Sequence, residues 1–273
     1  MVVHVRIRGD VMQRIGAILL VSLAACGSGS PKPTANYAER PVDARPPTRQ
    51  VIENNDEDEN TDMQVTSSHG KMDPADIEKA MASHTTAISE CYTEQVGTRK
   101  WLGGDVVLHW WIDANGKLTS VALGDGDLGA WPIEKCMLDI ARSIVFPKPK
   151  GGKAEFTVPM QFSAKGRAMA WDSDKSLAAV GGQTKKLDEC RKLAQLGSNP
   201  DGDATTVAIT VYVGPGGKAQ SVGFATTVGM PPADPWFDCV EKIALGWRLP
   251  DPRGHYAKLA IAVDAATSKI STR

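Results

Sequence analysis

The sequence predicts an α+β protein built from two tandem units. Each unit has the order α-β-β-α-β and folds as a three-stranded antiparallel sheet with two helices on one face. Three observations point there: the chain repeats itself, its strands alternate apolar and polar residues, and its cysteines distribute two to a repeat. The repeat weighs most. Gly116-Lys117-Leu118-Thr119-Ser120-Val121 returns as Gly217-Lys218-Ala219-Gln220-Ser221-Val222, 101 positions later. Each copy follows an alternating strand, Val106 to Ile112 and Val207 to Val213, at the same offset. Cys136, Ile140-Ala141 and Phe146-Pro147-Lys148-Pro149-Lys150-Gly151 match Cys239, Ile243-Ala244 and Leu249-Pro250-Asp251-Pro252-Arg253-Gly254 at an offset of 103. Glu90-Cys91 matches Glu189-Cys190 at 99, so the offset changes only across loops.

The first unit is placed at 73–165. Asp73-Pro74 opens a helix, with a capping carboxylate followed by a proline whose missing N–H costs nothing there. Ile77, Ala80, Met81, His84, Ala87, Ile88 and Cys91 then recur at helical spacing. Strand one covers 105–112 and strand two about 117–123, joined at Asp113-Ala114-Asn115-Gly116, where Asn-Gly supplies the positive φ of a hairpin turn. A second helix covers 132–143 and a last strand 154–162. The second unit, 183–266, repeats the scheme, with Gly214-Pro215-Gly216-Gly217 as its turn, a helix opening at Asp234-Pro235 and a last strand at 256–263. Residues 166–182 read as a linker and 267–273 as a C-terminal tail.

The N-terminus reads as an export signal. The apolar run Ile15–Ala25 follows Arg14 and is shorter than the ~20 residues that span a bilayer. Met1 and Met12 are both candidate starts. The run ends in Leu23-Ala24-Ala25-Cys26, a lipobox, which makes 1–25 a signal peptide and Cys26 the lipid-carrying residue of the mature chain. The competing reading is an ordinary signal peptide with Cys26 incidental. Gly27 lacks the retention aspartate at that position, which favours the outer membrane over the inner. Residues 26–72 are rich in Pro, Ser, Asn, Asp and Glu and read as a disordered tether. Its acidic run Glu53–Asn60 lacks the ligand alternation of a calcium loop. The ~46 tether residues would give an end-to-end distance of about 35–40 Å.

With Cys26 lipidated, four cysteines remain and allow three connectivities. The repeat selects Cys91–Cys136 and Cys190–Cys239, each stapling the first helix of a unit to its second. Net charge is −1 over 273 residues, which gives no case for nucleic acid as a partner. No metal or cofactor is expected, since no C-x-x-C occurs and none of His4, His69, His84, His109 and His255 recurs in the other copy. Motifs of hydrolases, zinc proteases and phosphate-binding loops are missing, so no enzyme activity and no small-molecule substrate are expected. Trp111 and its counterpart Tyr212 point away from the helices. They are candidate partner-binding residues if that sheet face stays open, and buried ones if the two units pack sheet to sheet.

Cys91, Gly104, the alternating strand Val106 to Ile112, Asn115-Gly116, Ser120-Val121, Cys136 and Phe146-Pro147-Lys148-Pro149 form a signature that resembles the AgmX/PglI C-terminal domain family, whose fold is similar to the C-terminal domain of TonB. The likeness covers about 73–164 well and about 183–265 less well, because Leu249 replaces Phe146. The resemblance implies a non-enzymatic envelope protein of a motility or transport assembly. It would be held to the membrane by the lipid on Cys26, face the periplasm and engage protein partners by strand addition. A purely structural subunit of such an assembly is the alternative, and an uncharacterised periplasmic enzyme the second.

Overall fold

The structure is a computed structural model that describes residues 70–196 and 205–273, all of which belong to one compact unit. The export segment, Cys26 and the tether up to residue 69 lie outside the described residues. The fold is mixed α+β.

The N-terminal half opens with α1 (Pro74–Ala82), whose cap Asp73 accepts the Ala75 N–H at 3.0 Å, as the sequence predicts. The single helix expected through Cys91 is broken, and α2 (Thr85–Val96) restarts after Ser83-His84. Ser and Thr compete for backbone hydrogen bonds and disfavour a helix interior, and the Thr85 hydroxyl indeed donates to Met81 O at 3.1 Å. Strand β1 (Gly104–Ile112) buries Val106, Leu108, Trp110 and Ile112. It lies between β2 (Leu118–Leu123) and β3 (Ala154–Phe162) in an antiparallel three-stranded sheet of order β2-β1-β3. The β1–β2 turn differs in type from a two-residue hairpin. Gly116 has φ 87° while Asn115 stays at negative φ, and the Asp113 carboxylate accepts the N–H groups of Asn115 and Lys117. A register shift at Trp111/Ile112 absorbs the extra residue. Helix α3 (Trp131–Ser143) covers the sheet, and the Trp110 indole N–H donates to Ala141 O at 3.2 Å.

In the C-terminal half, β5 (Thr206–Val213) lies between β6 (Ala219–Val228) and β7 (Ala257–Asp264), with α5 (Asp234–Leu245) as the counterpart of α3. Three features depart from the expected unit. The presumed linker carries β4 (Met169–Ala170), parallel to β7, and α4 (Ser173–Val180), capped by the Asp172 carboxylate. The tail carries β8 (Ile270–Thr272), antiparallel to β7, so this sheet has five strands. The first helix of the unit is a 3-10 helix, Thr184–Leu193. Thr184, Leu187 and Cys190, its buried residues, recur every third position, which matches three residues per turn.

Both cysteine pairings read from the repeat are present. Cys91–Cys136 ties α2 to α3, and Cys190–Cys239 ties the 3-10 helix to α5. They close separations of 45 and 49 residues, worth about 3–4 kcal/mol each in the chain-entropy model. Replacing Cys91 and Cys136 together by Ala is expected to lower the urea midpoint by an amount equivalent to a loss of about 3 kcal/mol. An unchanged midpoint would show that this bridge does not constrain the unfolded chain.

Candidate functional site

The two halves pack head to tail, and this separates the two candidate aromatics. Tyr212 lies on the β5 face turned away from α5 and is 1% exposed. Its hydroxyl donates to Gly103 O at 2.6 Å, and its ring meets Trp101 at 4.7 Å. Lys258 on β7 adds a 2.8 Å pair to Asp127 and a 3.1 Å bond to Gly103 O. Loops of the N-terminal half therefore occupy the face of the second sheet, so Tyr212 is an interface residue and not an exposed partner-binding one.

Trp111, 101 positions earlier, keeps a partly exposed position on the corresponding face of the first sheet. It stacks on His109 at 3.8 Å, and His109 Nε2 lies 2.7 Å from Glu155 Oε1. Burial pulls the imidazole below its ordinary pKa, against the attraction of Glu155. Trp111, Thr119, Ser120, Lys153, Glu155 and Met230 line a cavity of about 340 Å³. The Thr119 hydroxyl is taken by Trp111 O. A larger groove of about 760 Å³ runs between Trp171 on one side and Pro250, Arg253 and His255 on the other. His84 sits at the start of α2. Among the described residues, no three His, Cys, Asp or Glu side chains converge as metal ligands, and no helix is long and apolar enough to cross a membrane.

The residue that joins the halves is Glu134, which sequence reasoning missed. Its Oε1 accepts the N–H groups of Gly129 and Ala130, and its Oε2 accepts that of Phe224 on β6 at 2.8 Å. Around it, the Ser221 hydroxyl donates to Gly129 O, and the Trp131 ring meets Phe224 and Phe237. The Trp131 indole and Lys135 both bond Asp238, while Arg142 clasps Asp234. Gly223 permits the close approach: a Cβ there would collide with Ala130 N and the Glu134 carboxylate. The signal was in the repeat, because Glu134 stands where the second copy has Phe237 and Gly223 where the first has Ala122.

The sheet edges divide in the same way. Glu134 takes a donor of the β6 edge, and β4 and β8 close the outer side of β7. In the first sheet, β3 has β1 on one side and, among the described residues, no strand on the other. Pro159 cannot donate to β1, so its backbone faces outward, and by alternation so do those of Glu155, Thr157 and Gln161.

Burial pushes the Glu134 carboxyl from its ordinary 4.5 up to about 7, against the three N–H groups that favour the ionised form. The folded chain then holds this proton more tightly than the unfolded one. The stability it contributes is complete below pH 4.5 and is lost as pH rises through about 7. That loss amounts to up to about 3 kcal/mol. Urea melts across this range should show stability falling with pH in the parent and a flatter dependence in Glu134→Gln. An identical slope in the variant would rule Glu134 out as the source.

Comparison with protein-family models, with curated proteins and with solved structures finds no match, so the geometry itself carries the functional reading.

Proposed function

We propose that this chain is a non-enzymatic, lipid-anchored envelope protein that binds or scaffolds protein partners through two tandem TonB-like units. It is held by the lipid on Cys26 and faces the periplasm, on the outer membrane in preference to the inner. The observation that carries the binding role is the β3 edge. It is nine residues long and, among the described residues, open, while the matching edge of the second sheet is closed by β4 and β8. An extended partner segment can add to such an edge, with main-chain hydrogen bonds giving affinity and alternate side chains giving specificity. Trp111 and Glu155 lie beside that edge and supply an apolar surface and a charge for a partner side chain. Pro159 removes one outward donor and leaves a single gap in the ladder, between Thr157 and Gln161.

The interlocked halves favour a second reading, a structural subunit of a larger motility or transport assembly, because a rigid double unit suits a fixed position better than a reach for ligands. The edge separates the two. A photo-crosslinker at Gln161 in the native cell should yield one discrete adduct, and Thr157→Pro should abolish it without changing the melting curve. Val158→Pro, which removes an N–H that faces β1, should instead lower the melting temperature clearly. An adduct that survives Thr157→Pro removes strand addition and leaves the structural reading. For the anchor, mass spectrometry of the mature protein should find diacylglycerol on Cys26. A processed terminus at another residue would defeat that part of the proposal.

A further inference from the structure

Lysines gather at one end of the first sheet, where the β1–β2 hairpin turns and β3 begins. Lys71 and Lys150 face each other across an isolated antiparallel bridge, their backbones exchanging hydrogen bonds of 2.8 and 2.9 Å. Directly opposed residues share a face with Cβ atoms about 5 Å apart, where like charges destabilise the pair. Lys148 lies on the same side as Lys150, because the buried Pro149 between them takes the inward side. Gly116 packs against the backbone of Lys148 and brings Lys117 beside it, and Gly70 packs against that of Lys153.

All five lysines are exposed, and among the described residues none has a carboxylate within ion-pair distance. Of the nearby acids, Asp73 caps α1, Glu155 faces His109, and Asp113 holds its own turn while its charge also attracts Lys117 beyond ion-pair distance. Val145, in the same stretch, is 84% exposed between the buried Ile144 and Phe146. The second copy does not keep the pattern, for Arg248, Asp251 and Tyr256 stand where the first has Val145, Lys148 and Lys153. The N-terminal segment joins the fold at this same end, at Gly70-Lys71.

We propose that this end, formed by Lys71, Lys117, Lys148, Lys150, Lys153 and Val145, rests on an anionic lipid surface. The lysines meet headgroup phosphates and Val145 reaches the acyl boundary. An exposed valine among unpaired lysines suits a membrane interface, whereas a hydrated soluble polyanion gives it nothing to contact. The proposal takes its cellular setting from the lipid-anchored reading, but the contact itself belongs to the folded surface.

The test uses the full chain carrying Cys26→Ser, which cannot be acylated, sedimented with phosphatidylcholine vesicles with and without phosphatidylglycerol. Binding should require phosphatidylglycerol and fall steeply with salt. The combined variant Lys71→Gln, Lys148→Gln, Lys150→Gln, Lys153→Gln should bind about six hundredfold more weakly, each lysine being worth about fivefold. Val145→Ser should weaken binding about threefold with an unchanged salt dependence. Lys185→Gln, Lys186→Gln, Lys192→Gln on the 3-10 helix should bind like the parent. All variants share one N-terminal segment, so its own apolar run cancels in the comparison. The proposal is overturned if the fourfold variant binds like the parent, if the 3-10 helix variant loses as much, or if heparin is bound while phosphatidylglycerol vesicles are not. The protein is read unacylated, so a mature chain without lipid on Cys26 would leave the result standing.

Discussion

A single carboxylate buried between the two halves organises much of this molecule. Glu134 caps the start of its own helix through Gly129 and Ala130 and, with its other oxygen, takes the Phe224 N–H on the edge of the second sheet. Burying a charge is expensive, and three backbone donors offset only part of that cost, so the carboxyl keeps its proton up to about pH 7. Placing that carboxylate requires that α3 approach β6 closely, which Gly223 allows, and that the loop before α3 lie flat on the second sheet. Tyr212, Ser221 and Lys258 then bond to that loop and to Gly103. The contact is charged at its rim and aromatic at its centre, with Trp131, Phe224 and Phe237 inside and Lys135–Asp238 and Arg142–Asp234 outside.

Such packing is heterologous, since one half presents a loop and helix end while the other presents a face and an edge. A contact of this kind leaves an unused copy of each surface at the two ends. The Trp111 face of the first sheet is one such remainder, which is why Trp111 stays partly exposed while Tyr212 does not; the β3 edge is open for a separate reason, since only its counterpart β7 is covered, by β4 and β8. An open edge beside a partly exposed tryptophan would invite non-specific pairing unless restrained. Pro159 and the charged Glu155 on β3 are the restraints natural sheets use.

Much of the architecture was legible. Strand alternation placed β1, β3, β5 and β7 within a residue or so, and the repeat gave both disulfides. What escaped was governed by contacts distant in sequence. The break between α1 and α2 has its signal in Ser83, Thr85 and Thr86, but the apolar positions around them keep helical spacing and mask it. Strands β4 and β8 are two and three residues long and exist because β7 offers an edge to pair with. The 3-10 helix hid because its three buried residues, Thr184, Leu187 and Cys190, are too few to distinguish a spacing of three from the i, i+3 spacing of an α-helix. Trp111 and Tyr212 were treated as equivalent because the repeat aligned them. Sequence alignment carries no information on which copy of a surface is covered.

The same asymmetry bears on whether the head-to-tail contact can be repeated. Continuing the head-to-tail contact would need the second half to present what the first does, a loop ending in a carboxylate placed to cap an edge. At that position the second copy has Phe237, which is buried against Trp131 and Phe224 and cannot accept a hydrogen bond. Asp234 and Asp238, two of the three acids on the same helix, are already held by Arg142 and Lys135, and Glu241 lies a full turn beyond Phe237. The segment leading to it contains Pro231-Pro232, two residues without an N–H to offer. A duplicated chain whose surfaces stayed identical would remain able to add further copies end to end. Phe237 in place of Glu134 removes the carboxylate at one end, Ala122 in place of Gly223 blocks the β2 edge at the other, and the β3 edge stays apart from both.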